Sequence, residues 1–282
     1  GWAIYFPTQD LVDQFLVTDE ETGKAMPWYE TSQYKNNVTV LDPSSITEAG
    51  QVDTYKQVNG DARRIPTPQD LNQLNKSYPT FTRYHQLNKG ADRDLSELMY
   101  SGRDRRFYTA IVYDKCSWIG ETVELNLGGN LSAGVRDKED GGWYNTTTGY
   151  YWRKGNIENP TPRAYHNCQV ALHFNIVRLG EAYMNLAEAY LLKHDVPNAV
   201  KALNMTRTIH GGLSESTAAT EEEAWADYIR ERNCELTNEG GDIYYSYLRW
   251  GKYGGYANHG RDAGDIIYDL DRPVYKMSIS RD

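Results

Sequence analysis

Between Asn175 and Gly212 the hydrophobic positions repeat at helical spacing, which predicts two antiparallel helices joined by a very short turn. In the first, Ile176, Leu179, Tyr183, Leu186, Ala187 and Tyr190 form one apolar stripe, widened by Val177, Met184 and Leu191. Arg178, Glu181, Asn185 and Glu188 fall on one narrow polar line. Asp195 is placed to cap the second helix, and Pro197 sits in its first turn, where a missing N–H costs little. Val196, Ala199, Val200 and Leu203 make its inner face, and Gly211 and Gly212 are expected to supply the positive φ that ends it. Such a pair is a helical hairpin of the tetratricopeptide kind; one hairpin cannot bury both its faces, so the pattern requires neighbours.

Elsewhere the periodic segments are shorter. Pro7–Phe15 predicts a helix capped by Thr8, with Leu11, Val12 and Phe15 inward. Residues 18–32 read as a polar loop with Gly23 and Pro27, tipped by Trp28-Tyr29. Residues 39–60 read as irregular, 69–76 as one or two helical turns, 79–87 as strand-like and 92–100 as a short helix. Tyr108–Tyr113, Glu121–Leu127 and Thr148–Lys154 read as strands, and residues 128–142 as a loop closed by Trp143-Tyr144. Thr220 and Glu223 form a capping box, and Trp225, Tyr228, Ile229, Arg232 and Leu236 share one side of the helix that follows. Gly240-Gly241 interrupts it, 243–250 continues as a short helix, and the remainder reads as loop. The expected fold is mainly α: tetratricopeptide-like helical hairpins with long loops and a few short β-strands. It forms a single domain over 1–282, with a loop-rich ligand-binding part (1–165), a helical part (166–250) and a C-terminal loop (251–282).

Composition narrows the function classes. The net charge of −9 argues against a nucleic-acid partner. The 23 Tyr and 7 Trp against 5 Phe favour aromatics that work half in water, as a ligand-gripping surface does, although amphipathic packing under long loops accounts for most of them. No apolar run is long enough to span a bilayer and no signal peptide is visible. The opening Gly1-Trp2-Ala3-Ile4 looks like the inside of a domain, so a fragment is expected. Cys116, Cys168 and Cys234 lack metal spacing and read as small buried hydrophobes, with a Cys116–Cys168 disulfide left open.

Several stretches carry a family resemblance. Arg178…Ala182, Glu188-Ala189, Leu203-Asn204…Arg207 and Gly212-Leu213, then Glu231-Arg232…Glu235-Leu236…Glu239-Gly240 and Arg249-Trp250-Gly251, follow the spacing of the RagB/SusD family. Pro7-Thr8-Gln9-Asp10-Leu11-Val12-Asp13, Asp104-Arg105-Arg106-Phe107 and Thr148-Gly149-Tyr150-Tyr151-Trp152-Arg153-Lys154 resemble further family stretches in the same order, with Arg105 in place of a Pro. The chain resembles the C-terminal half of such a protein. The resemblance implies a SusD-like outer-membrane lipoprotein, surface-exposed and held by a lipid anchor outside this chain. It implies glycan binding, or peptide binding in some members, without catalysis or cofactor, and a SusC-like TonB-dependent transporter as partner.

Sugar recognition needs flat aromatic faces ringed by planar polar groups. Trp28 and Tyr29 are the first candidates, with Tyr34 beside them and Gln33 and Asn36 for hydrogen bonds; the alternative for Trp28 is a hydrophobic plug after Pro27. Trp143 and Tyr144 are the second, in a Gly-rich turn. Trp118 is weaker, and Trp2, Trp152, Trp225 and Trp250 read as core. Arg178, Glu181, Glu188, Glu231, Arg232 and Glu239 read as interhelical ion pairs. Two other functions compete: a tetratricopeptide-type adaptor for protein or peptide, and a glycoside hydrolase using Asp92, Asp94 and Glu97, or Glu121 and Glu124. The run Asp137–Asp140 lacks the spacing of a calcium loop, and the six His show no metal-ligand pattern.

Overall fold

The computed structural model describes residues 5–41, 84–125, 130–131, 146, 148–156 and 176–250. The Thr8 hydroxyl accepts from the Leu11 amide at 3.2 Å and starts α1 (Gln9–Gln14), so Val12 and Phe15 turn fully inward. The segment expected as loop carries a small hairpin, β1 (Val17–Thr18) against β2 (Ala25–Met26). A 3-10 turn over Trp28–Glu30 and α2 (Ser32–Asn37) follow. β3 (Val38–Leu41) pairs antiparallel with β4 (Tyr84–Leu87), and Asp94 caps α3 (Leu95–Tyr100).

Tyr108–Tyr113, expected as a strand, is helix over its first half. The Asp104 carboxylate accepts from the Arg106 amide at 2.9 Å and starts α4 (Arg105–Ala110), which takes in Tyr108. Only β5 (Ile111–Val112) remains extended, paired with β8 (Tyr151–Trp152). A cap outside the β-branched run overrides the local preference of the run itself. β6 (Ser117–Trp118) and β7 (Glu121–Thr122) make a hairpin, and β7 is all that forms of the strand expected over 121–127. No sheet among the described residues exceeds two strands, so helices carry the body.

The helical hairpin is α5 (Leu179–Leu191) and α6 (Val196–Ile209). His194, in the left-handed region at φ 59, makes the turn, and Asp195 caps α6 through the Asn198 amide at 3.3 Å. Gly212 supplies a positive φ of 66 at the far end. Gly211 does not. A Cβ there would lie 2.5 Å from the Arg207 carbonyl oxygen and 2.9 Å from Arg106 Nη2, so Gly211 serves close approach instead.

The buried face of α5 is one widened edge of the expected stripe rather than its centre. Met184, Ala187 and Leu191 are fully buried, together with Glu188, whereas Ile176, Leu179 and Leu186 are exposed. Both faces qualify by hydrophobic period. The face bearing Glu188 wins because α7 (Glu221–Glu235) and α8 (Asp242–Arg249) supply donors to its carboxylate: Tyr228, Arg249 and the next residue, Trp250.

α7 is the element on which the rest converges. Both hydrogen bonds of the Thr220–Glu223 capping box are present, at 3.2 and 3.1 Å. Trp225, Tyr228, Ile229, Arg232 and Leu236 are buried, as their spacing requires, in a cluster with Met184, Leu203 and Trp250 or just beyond it. The other side of α7 meets α1 and α4, so Cys234 joins Val12, Phe15 and Phe107 in a second cluster. The stretches 69–76, 132–145 and 251–282 lie outside the described residues.

The phase of α5 is testable. Met184→Ala is expected to lower unfolding free energy by about 2–5 kcal/mol. Leu179→Ala is expected to change it by less than about 0.5 kcal/mol. Urea unfolding midpoints measure both, and equal losses would show that the wrong face has been assigned.

Candidate functional site

Asp19 organises the loop that carries the first aromatic candidates. One of its oxygens accepts from the Thr22 amide and hydroxyl at 2.8 and 2.6 Å, and the other from the Ser32 amide at 2.5 Å. Hydrogen bonds from Ser32 and Thr22 hold this carboxyl well below the usual carboxylate range. Thr31 then caps α2, accepting from the Tyr34 amide at 3.3 Å and donating to the Trp28 carbonyl at 2.7 Å. Gln33 accepts from the Glu20 amide and donates to the Thr18 carbonyl, both at 3.0 Å. The result is a polar lattice that fixes Trp28 and Tyr34 against each other, edge to face at 4.9 Å.

That lattice turns both rings inward. Trp28 and Tyr34 are each 3% exposed, in a cluster with Val17, Val38 and Leu98. The indole N–H of Trp28 donates to Asp13 at 2.9 Å. Trp28 is thus the plug after Pro27, and neither ring presents a face to a sugar; Gln33 is likewise buried and bonded to backbone. Tyr29 stays half-buried at the edge of the cluster, and Asn36 is exposed, bonded to Glu21 at 3.4 Å. Trp143 and Tyr144 lie outside the described residues. Trp118 is half-buried, stacked on Tyr151 with centroids 6.1 Å apart. Trp225 and Trp250 are core.

Sequence reasoning missed the rings that do face water. Among the described residues the exposed aromatics are Tyr5, Tyr244 and Tyr245. Tyr244 and Tyr245 are adjacent in a helix-forming run, and neither their spacing nor a cap marked them as outward.

The charges form a joint between the loop-rich part and the helices. Arg106 of α4 donates to Asp104 at 2.5 Å, to Glu231 and to Glu235 at 3.0 Å, all buried. Arg178 links Glu235 to Glu239, the latter at 2.8 Å, and Lys154 also pairs with Glu239. Burial pushes the Glu235 carboxyl up, but the hydrogen bonds and charges of Arg178 and Arg106 outweigh it and hold it at about 2. The same contest, won by their cationic neighbours, leaves Glu188 and Glu239 below the usual range, whereas complete burial keeps Glu231 above it. Arg232 pairs with Asp242 at 2.5 Å, while Glu181 has no ion pair among the described residues. Arg106, Asp104 and Glu235 were missed; the spacing of Glu231, Glu235 and Glu239, one helical turn apart each, was the signal.

Of the carboxylates weighed for hydrolysis, Asp92, Glu121 and Glu124 are exposed, while Asp94 and Glu97 make structural contacts. Asp94 caps α3 and pairs with Lys115, and Glu97 lies 3.6 Å from Arg93. Cys116 and Cys234 are buried thiols. Among the described residues no group of His, Cys, Asp and Glu is arranged to hold a metal ion, and no helix is long and apolar enough to cross a membrane.

A model of the SusD family matches residues 1–281. Comparison with curated proteins gives no match. Among solved structures the fold is similar to a SusD-like protein from Bacteroides fragilis NCTC 9343, at 24% identity and TM-score 0.52 over 89% of this chain and 37% of that one. A SusD-like carbohydrate binding protein from the same organism gives 17% identity and TM-score 0.49 over 89% and 36%. The chain thus spans little more than a third of the length of these solved proteins.

Two outcomes follow from the site geometry. Trp28→Ala is expected to cost about 3–5 kcal/mol of stability, because it empties a core position; a thermal melt close to that of the unaltered chain would contradict its burial. Glu235 has a folded pKa below its unfolded value, so its contribution is present above about pH 4.5 and lost as pH falls toward about 2. Urea midpoints should therefore drop through that window, and Glu235→Gln should flatten the drop. An unchanged acid limb in that variant would contradict the assignment.

Proposed function

The chain belongs to the SusD family, and from that premise we propose that it is a non-catalytic carbohydrate-binding protein of the bacterial cell surface. In this reading the whole protein is a lipid-anchored lipoprotein of the outer membrane. It captures oligosaccharides and delivers them to a SusC-like TonB-dependent transporter. The observation that carries the proposal is the family match across residues 1–281. The surplus of Tyr and Trp over Phe supports it, since these rings combine an apolar face with a polar tip. The non-catalytic part draws on three buried or half-buried carboxylates, Glu188, Glu235 and Glu239, each tied to cations. Trp143 and Tyr144, with Tyr29 at the edge of its cluster, are the aromatic contacts retained for the glycan, while Trp28 and Tyr34 hold the loop from beneath.

A second reading, an adaptor that docks a protein or peptide helix, draws on the exposed aliphatic stripe of Ile176, Val177, Leu179 and Leu186.

Affinity electrophoresis in gels cast with neutral polysaccharides (starch, mannan, xylan, β-glucan), followed by isothermal titration, tests the proposal. At least one glycan should retard the chain without release of reducing sugar. Trp143→Ala should weaken that binding by about 1 kcal/mol. Retardation by none of them, or sugar release, would overturn it.

A further inference from the structure

The exposed aromatics do not scatter. They flank the turn between α7 and α8, where Asn238, at φ 56, and Gly241, at φ 75, reverse the chain. We propose that this turn carries a carbohydrate-stacking surface, with Tyr5 and Tyr245 as its two flat faces. The proposal rests on the carbohydrate reading above and adds a site to it.

Both rings are held in place although both are open to water. Tyr5, 63% exposed, donates its hydroxyl to Asn238 Oδ1 at 3.1 Å, and Asn238 in turn donates to the Lys154 carbonyl at 2.9 Å. Its ring leans on half-buried Trp152, with centroids 6.1 Å apart. Tyr245, 62% exposed, lies against Gly241, where a Cβ would sit 3.4 Å from its ring edge. The missing Cβ lets the ring edge settle close to the backbone, and the Tyr244 ring packs against Tyr245 with centroids 5.3 Å apart. Preorganised rings lose little freedom on binding, so more of the stacking energy appears as affinity.

Planar polar groups lie in the same turn. Glu239 is half-exposed between Lys154 and Arg178, with Arg178 Nε 2.8 Å from its carboxylate. Each cation here faces an anion, so the surface carries hydrogen-bonding edges without a net charge to attract an acidic polymer. The ligand class is accordingly a neutral oligosaccharide.

The test is isothermal titration of the full chain with the neutral oligosaccharides of starch, mannan, xylan and β-glucan, alongside Tyr245→Ala, Tyr5→Ala and Tyr245→Phe. These are surface positions, and thermal melts of the variants should match that of the unaltered chain. Each Ala variant is expected to weaken binding about three- to tenfold, the value of one aromatic face, and Tyr245→Phe to retain it. If the unaltered chain binds and both Ala variants bind equally well, the site is wrong and the carbohydrate reading stands. If the unaltered chain binds none of the sugars, both fall together.

Discussion

Arg106 is the constraint around which the molecule closes. Its guanidinium is buried and meets Asp104 on its own element and Glu231 and Glu235 on α7. A charge taken out of water survives only when its partners are in place. Once Arg106 is satisfied, α4 is bound to α7, and with it the aromatic cluster of Phe15, Phe107 and Tyr150. Arg178 and Lys154 extend the same set of charges to the edge of the turn after α7. Removing one partner of such a set exposes the others to an uncompensated burial, at a cost of about 3–5 kcal/mol.

The direction of the polar contacts sets which of the described aromatics stay open to water. Inside the loop-rich part, Asp19, Thr31 and Gln33 bond the backbone so completely that Trp28 and Tyr34 are drawn into the core. At the turn after α7 the polar groups instead sit beside the rings, and Tyr5 and Tyr245 remain open. The difference is one of direction: a tryptophan whose N–H reaches a half-buried carboxylate on α1 faces inward, whereas a tyrosine tethered by its hydroxyl to the Asn238 amide stays in water.

The helical hairpin, the capping box and the inward side of α7 were legible because caps and spacing act within one or two turns of chain. The face of α5 was not, since Leu179 and Met184 both fit a helical period and only the donors on α7 and α8, dozens of residues away, decide between them. Tyr108 misled for a related reason: its β-branched neighbours prefer a strand, but Asp104 imposes a helix from outside the run. The ion pairs of Glu188, Glu231 and Glu239 were expected as a class, yet Arg106 was invisible as the partner of Glu231 until the chain was folded. The choice between glycan contact and plug for Trp28 was not local, because the carboxylate that receives its N–H belongs to α1.

Hydrogen exchange of the native chain beside Arg106→Ala tests the joint most directly. If the buried guanidinium couples the two halves, amides of α1, α4 and α7 lose protection together and by a similar factor in the variant. If α7 keeps its protection while α1 and α4 exchange faster on their own, the halves are independent and Arg106 is not what unites them.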